Sequence, residues 1–299
     1  MRTAIEKRHK KWSCDRGFSL VELVVAMAIS LVVMAGVYKV YVTQQDTYLL
    51  QEQVAEMQQN ARVAKYVLTK DIRMVGYNPT RKVNGPTFKT SFVPKLPDDD
   101  KADSNPDRTS TGPQSIAFTL DDNGDGVLEA NFDEQVAFRV GVASGNLERY
   151  DVDNNGWLAV VENIEALGFA YAFDDDGDGN IDTSPNGFII WAIDGDNSDS
   201  DERLNVNLDG NDDGVIDASD DTNGDGKIDD DDAGTPLATP VDLDKIRAVK
   251  IWVLAKTGKS DRRFTGSETY VVGNRILSRN DQNRRTMVIT AVKCRNMAL

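Results

Sequence analysis

Residues 16–30 read Arg16-Gly17-Phe18-Ser19-Leu20-Val21-Glu22-Leu23-Val24-Val25-Ala26-Met27-Ala28-Ile29-Ser30. Their reading decides the fold, because a carboxylate, Glu22, stands five residues past a glycine at the mouth of an apolar run. Residues 23–38, sixteen in all, carry no charge before Lys39. As a helix, residues 18–42 would extend about 37 Å, enough to cross a hydrocarbon core of about 30 Å. A charge placed inside such a span is costly unless something pairs with it. Six bases and two acids precede the run within residues 1–17, a net +4. That basic flank keeps the N-terminus in the cytoplasm and sends the C-terminal body outward. A secretory signal peptide would carry a small-residue cleavage site after its apolar stretch. Here the candidate scissile glycine lies before it.

Gly17-Phe18-Ser19-Leu20-Val21-Glu22 resembles the class III signal of the type IV pilins and the type II secretion pseudopilins. The resemblance implies that a prepilin peptidase removes residues 1–17 as a leader, cutting after Gly17, and methylates the new N-terminus at Phe18. It implies further that Glu22, fifth in the mature chain, is an assembly residue. Its carboxylate would pair with the N-terminal amine of a neighbouring pilin subunit, so the partners are other pilins and minor pilins, the peptidase and the inner membrane. The bland alternative is an interfacial glutamate of an ordinary single-pass anchor.

The helical signal continues past the membrane segment. From Leu50 the apolar residues Val54, Met57, Ala61, Ala64, Leu68, Ile72 and Val75 recur every three or four positions. No proline falls between Phe18 and Val75, and Gly76 and Pro79 then stop the pattern. One helix over residues 18–76 is expected, transmembrane over about 18–42 and laid on a globular head of residues 77–299 thereafter. In the head, residues 115–120, 135–142, 157–161, 164–173, 188–193, 246–255, 268–272 and 286–294 read as strands. Strands following one long helix predict an α+β fold, with an antiparallel sheet packed on that helix. Residues 163–179, 246–257 and 280–299 resemble the PilW-like minor pilins, related in fold to the J-type pseudopilins.

The formal charge of −15 is unevenly spread. Residues 174–232 hold twenty Asp and one Glu against Arg203 and Lys227, a net −19. With +4 in residues 1–17, the remainder sums to zero. The short terminal basic cluster belongs to a membrane signal, so nucleic acid is not an expected partner.

The acidic segment has a repeat. In the calcium-loop pattern, oxygens at positions 1, 3, 5 and 9 converge and a glycine at 6 makes the turn. Asp209, Asn211, Asp213, Asp217 and Asp220 fit it, with a carboxylate at position 12 and Ile216 at 8. Asp221, Asn223, Asp225, Asp229 and Asp232 repeat it at once, with Ile228 at 8. Asp174, Asp176, Asp178 and Asp182 match through position 9, where Pro185 then occupies 12. Asp121, Asn123, Asp125 and Glu129 do the same, with Phe132 at 12. A fifth match, Asp151, Asp153, Asn155 and Glu162, is explained as well by a hairpin turn. None has the flanking amphipathic helices of an EF-hand, and the loops resemble the dockerin and thrombospondin type 3 style in motif only. Structural Ca²⁺ is the expected cofactor, and a solvated acidic linker rich in Asp-Gly turns is the alternative.

Catalysis has little to work with. His9 is the only histidine, and Cys14 and Cys294 the only cysteines. Removal of residues 1–17 would leave one thiol and no imidazole, which excludes Ser-His-Asp, Cys-His and His-ligated zinc chemistry. The expected function is a structural minor pilin acting in pilus assembly near the filament tip. A pseudopilin, or an anchored calcium-dependent adhesin that never polymerises, remains open.

Overall fold

The computed structural model describes residues 17–77, 114–121, 123–125, 134–141, 143–151, 156–195, 203–261 and 263–297. Two compact units divide the chain, residues 1–51 and 52–299.

Helix α1 runs over Leu20–Ile72. In the first unit its apolar residues from Leu20 to Tyr41 lie exposed. Hydroxyls there are satisfied within the helix: Ser30 donates to the Ala26 carbonyl at 2.8 Å and Thr43 to that of Lys39 at 2.9 Å. Such back-bonding removes the unmet donors that an apolar medium penalises.

In the second unit the strands are β1 (Ile116–Thr119), β2 (Gln135–Val140), β3 (Leu147–Asp151), β4 (Gly156–Val161), β5 (Ile164–Phe173), β6 (Ala192–Ile193), β7 (Arg203–Asn207), β8 (Pro236–Asp242), β9 (Ile246–Lys256), β10 (Gly266–Val272), β11 (Arg275–Asp281) and β12 (Arg285–Lys293). They form a four-stranded sheet β1-β2-β3-β4, a hairpin β10-β11, and a six-stranded sheet β12-β9-β5-β6-β7-β8. All pairings are antiparallel. The α+β architecture with antiparallel sheets is therefore as expected.

Strand β5 explains how the core is layered. Leu167, Phe169, Tyr171 and Phe173 alternate with Ala166, Gly168, Ala170 and Ala172, and side chains on a strand point to opposite faces at successive residues. The large set joins Val249, Ile251 and Val253 of β9 and the helix residues Met57, Ala61, Ala64, Leu68 and Ile72 in one buried cluster. Ala166 and Ala170 face the other way, into a second cluster with Ile193, Val206, Leu208, Ile228, Trp252 and Val272. Both faces of this sheet are thus covered, one by α1 and one by the acidic loops and the β10-β11 hairpin. Past Ile72 the chain turns away through Gly76, whose φ of 69° suits a residue without a side chain and whose N–H donates to the Thr119 carbonyl at 3.0 Å.

Four strands were not expected: β3, β7, β8 and β11. The expected strand over residues 188–193 reduces to Ala192–Ile193 and an isolated bridge between Thr183 and Ile189. Pro185 and Gly187, the latter at φ 87°, turn the chain there, and Phe188 is left 40 % exposed.

An ion cluster fastens β11 and β12 to β5. Glu165 accepts from Arg279 Nε at 2.6 Å and from Arg285 Nε at 2.7 Å, and Arg285 also binds Asp281 at 2.6 Å. Burial works to raise the Glu165 carboxyl, but Arg285 and Arg279 outweigh it and hold it below its ordinary value. Arg285, followed by the Asn283 N–H, holds Asp281 well below the usual carboxylate range. Depressed carboxylates stabilise the fold above their unfolded pKa of about 4 and lose that contribution as pH falls through the folded value. We expect Glu165→Gln to destabilise the chain by about 3 kcal/mol at pH 7, since it leaves Arg285 nearly buried and half-paired. Urea midpoints of wild type and variant should begin to converge as pH falls below about 4 and meet only below the depressed folded value of Glu165.

Candidate functional site

Ser19 and Glu22 open α1. Ser19 Oγ accepts the Glu22 N–H at 3.1 Å, so the serine caps the helix and Glu22 lies in its first turn. Ser19-Leu20-Val21-Glu22 fits the S-x-x-E capping box, in which serine and glutamate satisfy N–H groups that a helix start leaves unmet. The S-x-x-E spacing that marks it is legible in the sequence. A carboxylate there also meets the positive end of the helix dipole. Gly17 and Phe18 precede the helix, and Phe18 is 84 % exposed. Among the described residues, α1 is the one helix long and apolar enough to cross a membrane.

The acidic loops share one hydrogen-bond pattern. The position-1 carboxylate accepts the N–H of the position-6 glycine at 3.2 Å in Asp174–Gly179, 2.9 Å in Asp209–Gly214 and 2.9 Å in Asp221–Gly226. Those glycines have φ of 86°, 84° and 91°, the left-handed region that a side chain resists. The position-3 side chain accepts from position 5 in Asp176–Asp178, Asn211–Asp213 and Asn223–Asp225, at 3.0, 3.0 and 2.8 Å. Asn123 accepts likewise from Asp125 at 2.8 Å.

The tandem loops close through position 12. Asp220 accepts from Gly210 at 3.0 Å and from Asp217 at 2.9 Å, and Asp232 from Thr222 at 2.7 Å and Asp229 at 3.1 Å. Burial, reinforced by the nearby Asp209 charge, pushes the Asp220 carboxyl up. Burial followed by repulsion from Asp225, Asp232 and Asp230 does the same at Asp229. In the 174 loop, where proline holds position 12, Asp182 takes over the closure and accepts the Asp175 N–H at 3.0 Å.

The loops differ in how far they gather their acids. Asp174, Asp176 and Asp182 bring carboxylate oxygens within 4.8 Å of one another, with Asp174 buried. Among the described residues no such triple forms in 209–220 or 221–232, where Asn211 and Asn223 supply amides at position 3. Asp178 instead accepts from Asn180, which holds its carboxyl below the ordinary value. Glu129, with 126–133, falls outside the described residues, as do residues 152–155 of the fifth match. That match is flanked by β3 and β4, with Asp151 paired to Gly156, as a hairpin requires.

Ile216 and Ile228, at position 8 of the tandem loops, both pack on the sheet's second cluster. The Ile228 N–H donates to the Asn274 carbonyl at 2.7 Å and the Ile276 N–H to that of Gly226 at 2.9 Å, which stitches the last loop to the β10-β11 turn. Asn186 joins two loops by donating to the Asp212 carbonyl at 3.1 Å. The Lys250 ammonium lies 5.4 Å from the Trp191 ring centroid and 5.2 Å from that of Trp252. Burial lowers its pKa, and the nearby Asp209 carboxylate opposes that shift.

Residues 12–38 match the prokaryotic N-terminal methylation motif. No curated protein sequence matches the chain. Among solved structures, the type IV-like pilin TTHA1219 from Thermus thermophilus aligns over 84 % of this chain and 98 % of its own, at 14 % identity and a TM-score of 0.37. The chain thus carries at its N-terminus, over residues 12–38, a methylation signal of the kind found in type IV pilins.

Proposed function

We propose that the chain is a minor pilin of the PilW-like branch, a structural subunit acting in pilus assembly near the filament tip. The observation that carries this reading is the methylation motif over residues 12–38, set at the start of an uninterrupted apolar helix. On this reading prepilin peptidase cuts after Gly17 and methylates Phe18, and the helix holds the subunit in the inner membrane with its head outside. Glu22 then pairs with the amine of an adjoining subunit during assembly, because an intramembrane carboxylate needs a counter-charge. Mass spectrometry of the mature chain is expected to find methylated Phe18 at the N-terminus, and a chain still beginning at Met1 overturns the reading. Glu22→Ala should lower incorporation into filaments at least about tenfold, the equivalent of ~1.4 kcal/mol. An anchored adhesin that never polymerises would work unchanged with the same substitution.

The methylation signal is shared with pseudopilins, so the second reading is a J-like subunit of a type II secretion system. Deletion separates the two: loss of twitching supports the pilin, loss of secretion the pseudopilin.

Calcium is proposed as the structural cofactor of the head. Asp174, Asp176, Asp178 and Asp182 would hold one ion, the ligand positions of 209–220 and 221–232 one each, and Asp121, Asn123, Asp125 and Glu129 a fourth. Support comes from the repeated turn geometry and from the −19 charge of residues 174–232, whose self-repulsion divalent ions relieve. Bound Ca²⁺ would supply cross-linking of the loop oxygens, and the head could then serve in adhesion.

A further inference from the structure

The head contains a basic cavity that neither the helix start nor the acidic loops use. Its volume is about 770 Å³, and it lies among the last turns of α1, the four-stranded sheet and the turn after β12. Among the described residues, four cations line it, Lys70, Arg73, Arg149 and Arg295, against one acid, Asp71. Asp71 is paired with Arg149 at 3.5 Å, which leaves Lys70, Arg73 and Arg295, all exposed, as the charge of the rim. The floor is apolar, with Leu120 and Val136 nearly or fully buried. Thr69 also lines the cavity, and its shielded hydroxyl has no hydrogen-bond partner among the described residues. Such a basin, an apolar floor under a cationic rim, suits a carboxylate carried on a peptide chain.

The same molecule supplies that chemistry. Residues 209–232 hold eleven Asp against Lys227. Asp213, Asp217, Asp225, Asp230 and Asp231 are exposed. This segment is anchored by Ile216 and Ile228 on the face of the six-stranded sheet opposite α1, whereas the cavity is lined by α1 itself. Its own loop is therefore on the wrong side of the sheet to fill it. We propose that the cavity docks the 209–232 acidic loops of a second copy of this chain, head to head and heterologously. A contact between two different patches of one chain can propagate along a row of subunits, whereas an isologous contact stops at two.

The test uses the full-length chain in detergent with chelator, mixing normal and ¹⁵N-labelled copies. Zero-length carbodiimide should join Lys70 to residues 209–232 in mixed-isotope pairs. Cross-links of Lys70 confined to one isotope, to other acids, or absent, overturn the proposal. Lys70→Glu with Arg295→Glu should weaken self-association at least tenfold and remove its salt dependence. Asp230→Lys with Asp231→Lys, which spares every proposed calcium ligand, should weaken it equally. Mixing the two reversed variants should restore it, which a merely misfolded variant cannot do, and failure of that rescue also overturns the proposal. None of these readouts depends on Phe18 processing or on calcium.

Discussion

Gly168→Ala is expected to destabilise the head by about 3 kcal/mol, at the upper end of what overpacking costs. Gly168 sits in the middle of β5, on the face turned toward the β10-β11 hairpin. A Cβ added there would lie 2.7 Å from Gly273 Cα and 2.7 Å from the Val272 carbonyl carbon, and would also meet the Gly273 nitrogen. Every one of those atoms is backbone, so no side chain can swing aside. Gly273 itself holds a φ of 63° in the turn that joins Val272 to Arg275, and cannot easily be re-shaped. Relief requires the hairpin to lift. That would break the Arg275 Nη2 bond to the Leu167 carbonyl at 3.2 Å and the Ile228–Asn274 bond at 2.7 Å. Denaturant unfolding of the two proteins measures the effect, and a midpoint unchanged by the methyl would show that the hairpin does not press on β5 there.

Calcium removal should have the second large effect, on the reading that the loops are ion sites. With a dissociation constant near 10⁻⁴ M, typical of extracellular modules, 10 mM calcium stabilises each occupied loop by about 2.7 kcal/mol. For a domain of this size that corresponds to about 5–10 °C in Tm per ion. The mechanism is electrostatic: the acids repel one another without ions, and at Asp220 and Asp229 that repulsion adds to burial, the larger cause, in raising the carboxyls. Asp209→Ala together with Asp221→Ala should remove the response of the tandem pair and leave that of the 174 loop. Equal midpoints with calcium and with chelator would remove calcium from the account.

The parts of the fold legible in the sequence are those with a strong local period. The 3–4 spacing of Met57, Ala61, Ala64, Leu68 and Ile72 gave the packed face of α1, and the period of two in β5 gave a strand between two layers. The missed strands share a different cause. In β3 the polar residues are paired at a distance, Glu148 with Arg139 and Arg149 with Asp71. In β11, Arg275 and Arg279 find the Leu167 carbonyl and Glu165, over a hundred residues away. Nothing local marks such residues as strand. Strand β7 hides inside the Asp-rich segment, although Leu204 and Val206 are both buried. Strand β8 contains Pro236 and Pro240, which argue against an interior strand and are tolerated because β8 is an edge. At the candidate sites, spacing identified the loop positions but not their closure. Asp182, closing the loop where Pro185 holds position 12, becomes visible only when the loop is folded.

The sandwich of Lys250 between Trp191 and Trp252 has a practical corollary. Both indoles lie beside a cation whose electrostatic neighbour, Asp209, opens one of the acidic loops. On the reading that this loop binds a cation, neutralising that aspartate would alter the field at two natural fluorophores, and the untagged polypeptide would carry its own optical gauge of loop occupancy. Emission recorded during a cation titration of a chain processed at Gly17, and so without Trp12, would read that one loop by colour, with Trp157, over on the four-stranded sheet, as a steady background.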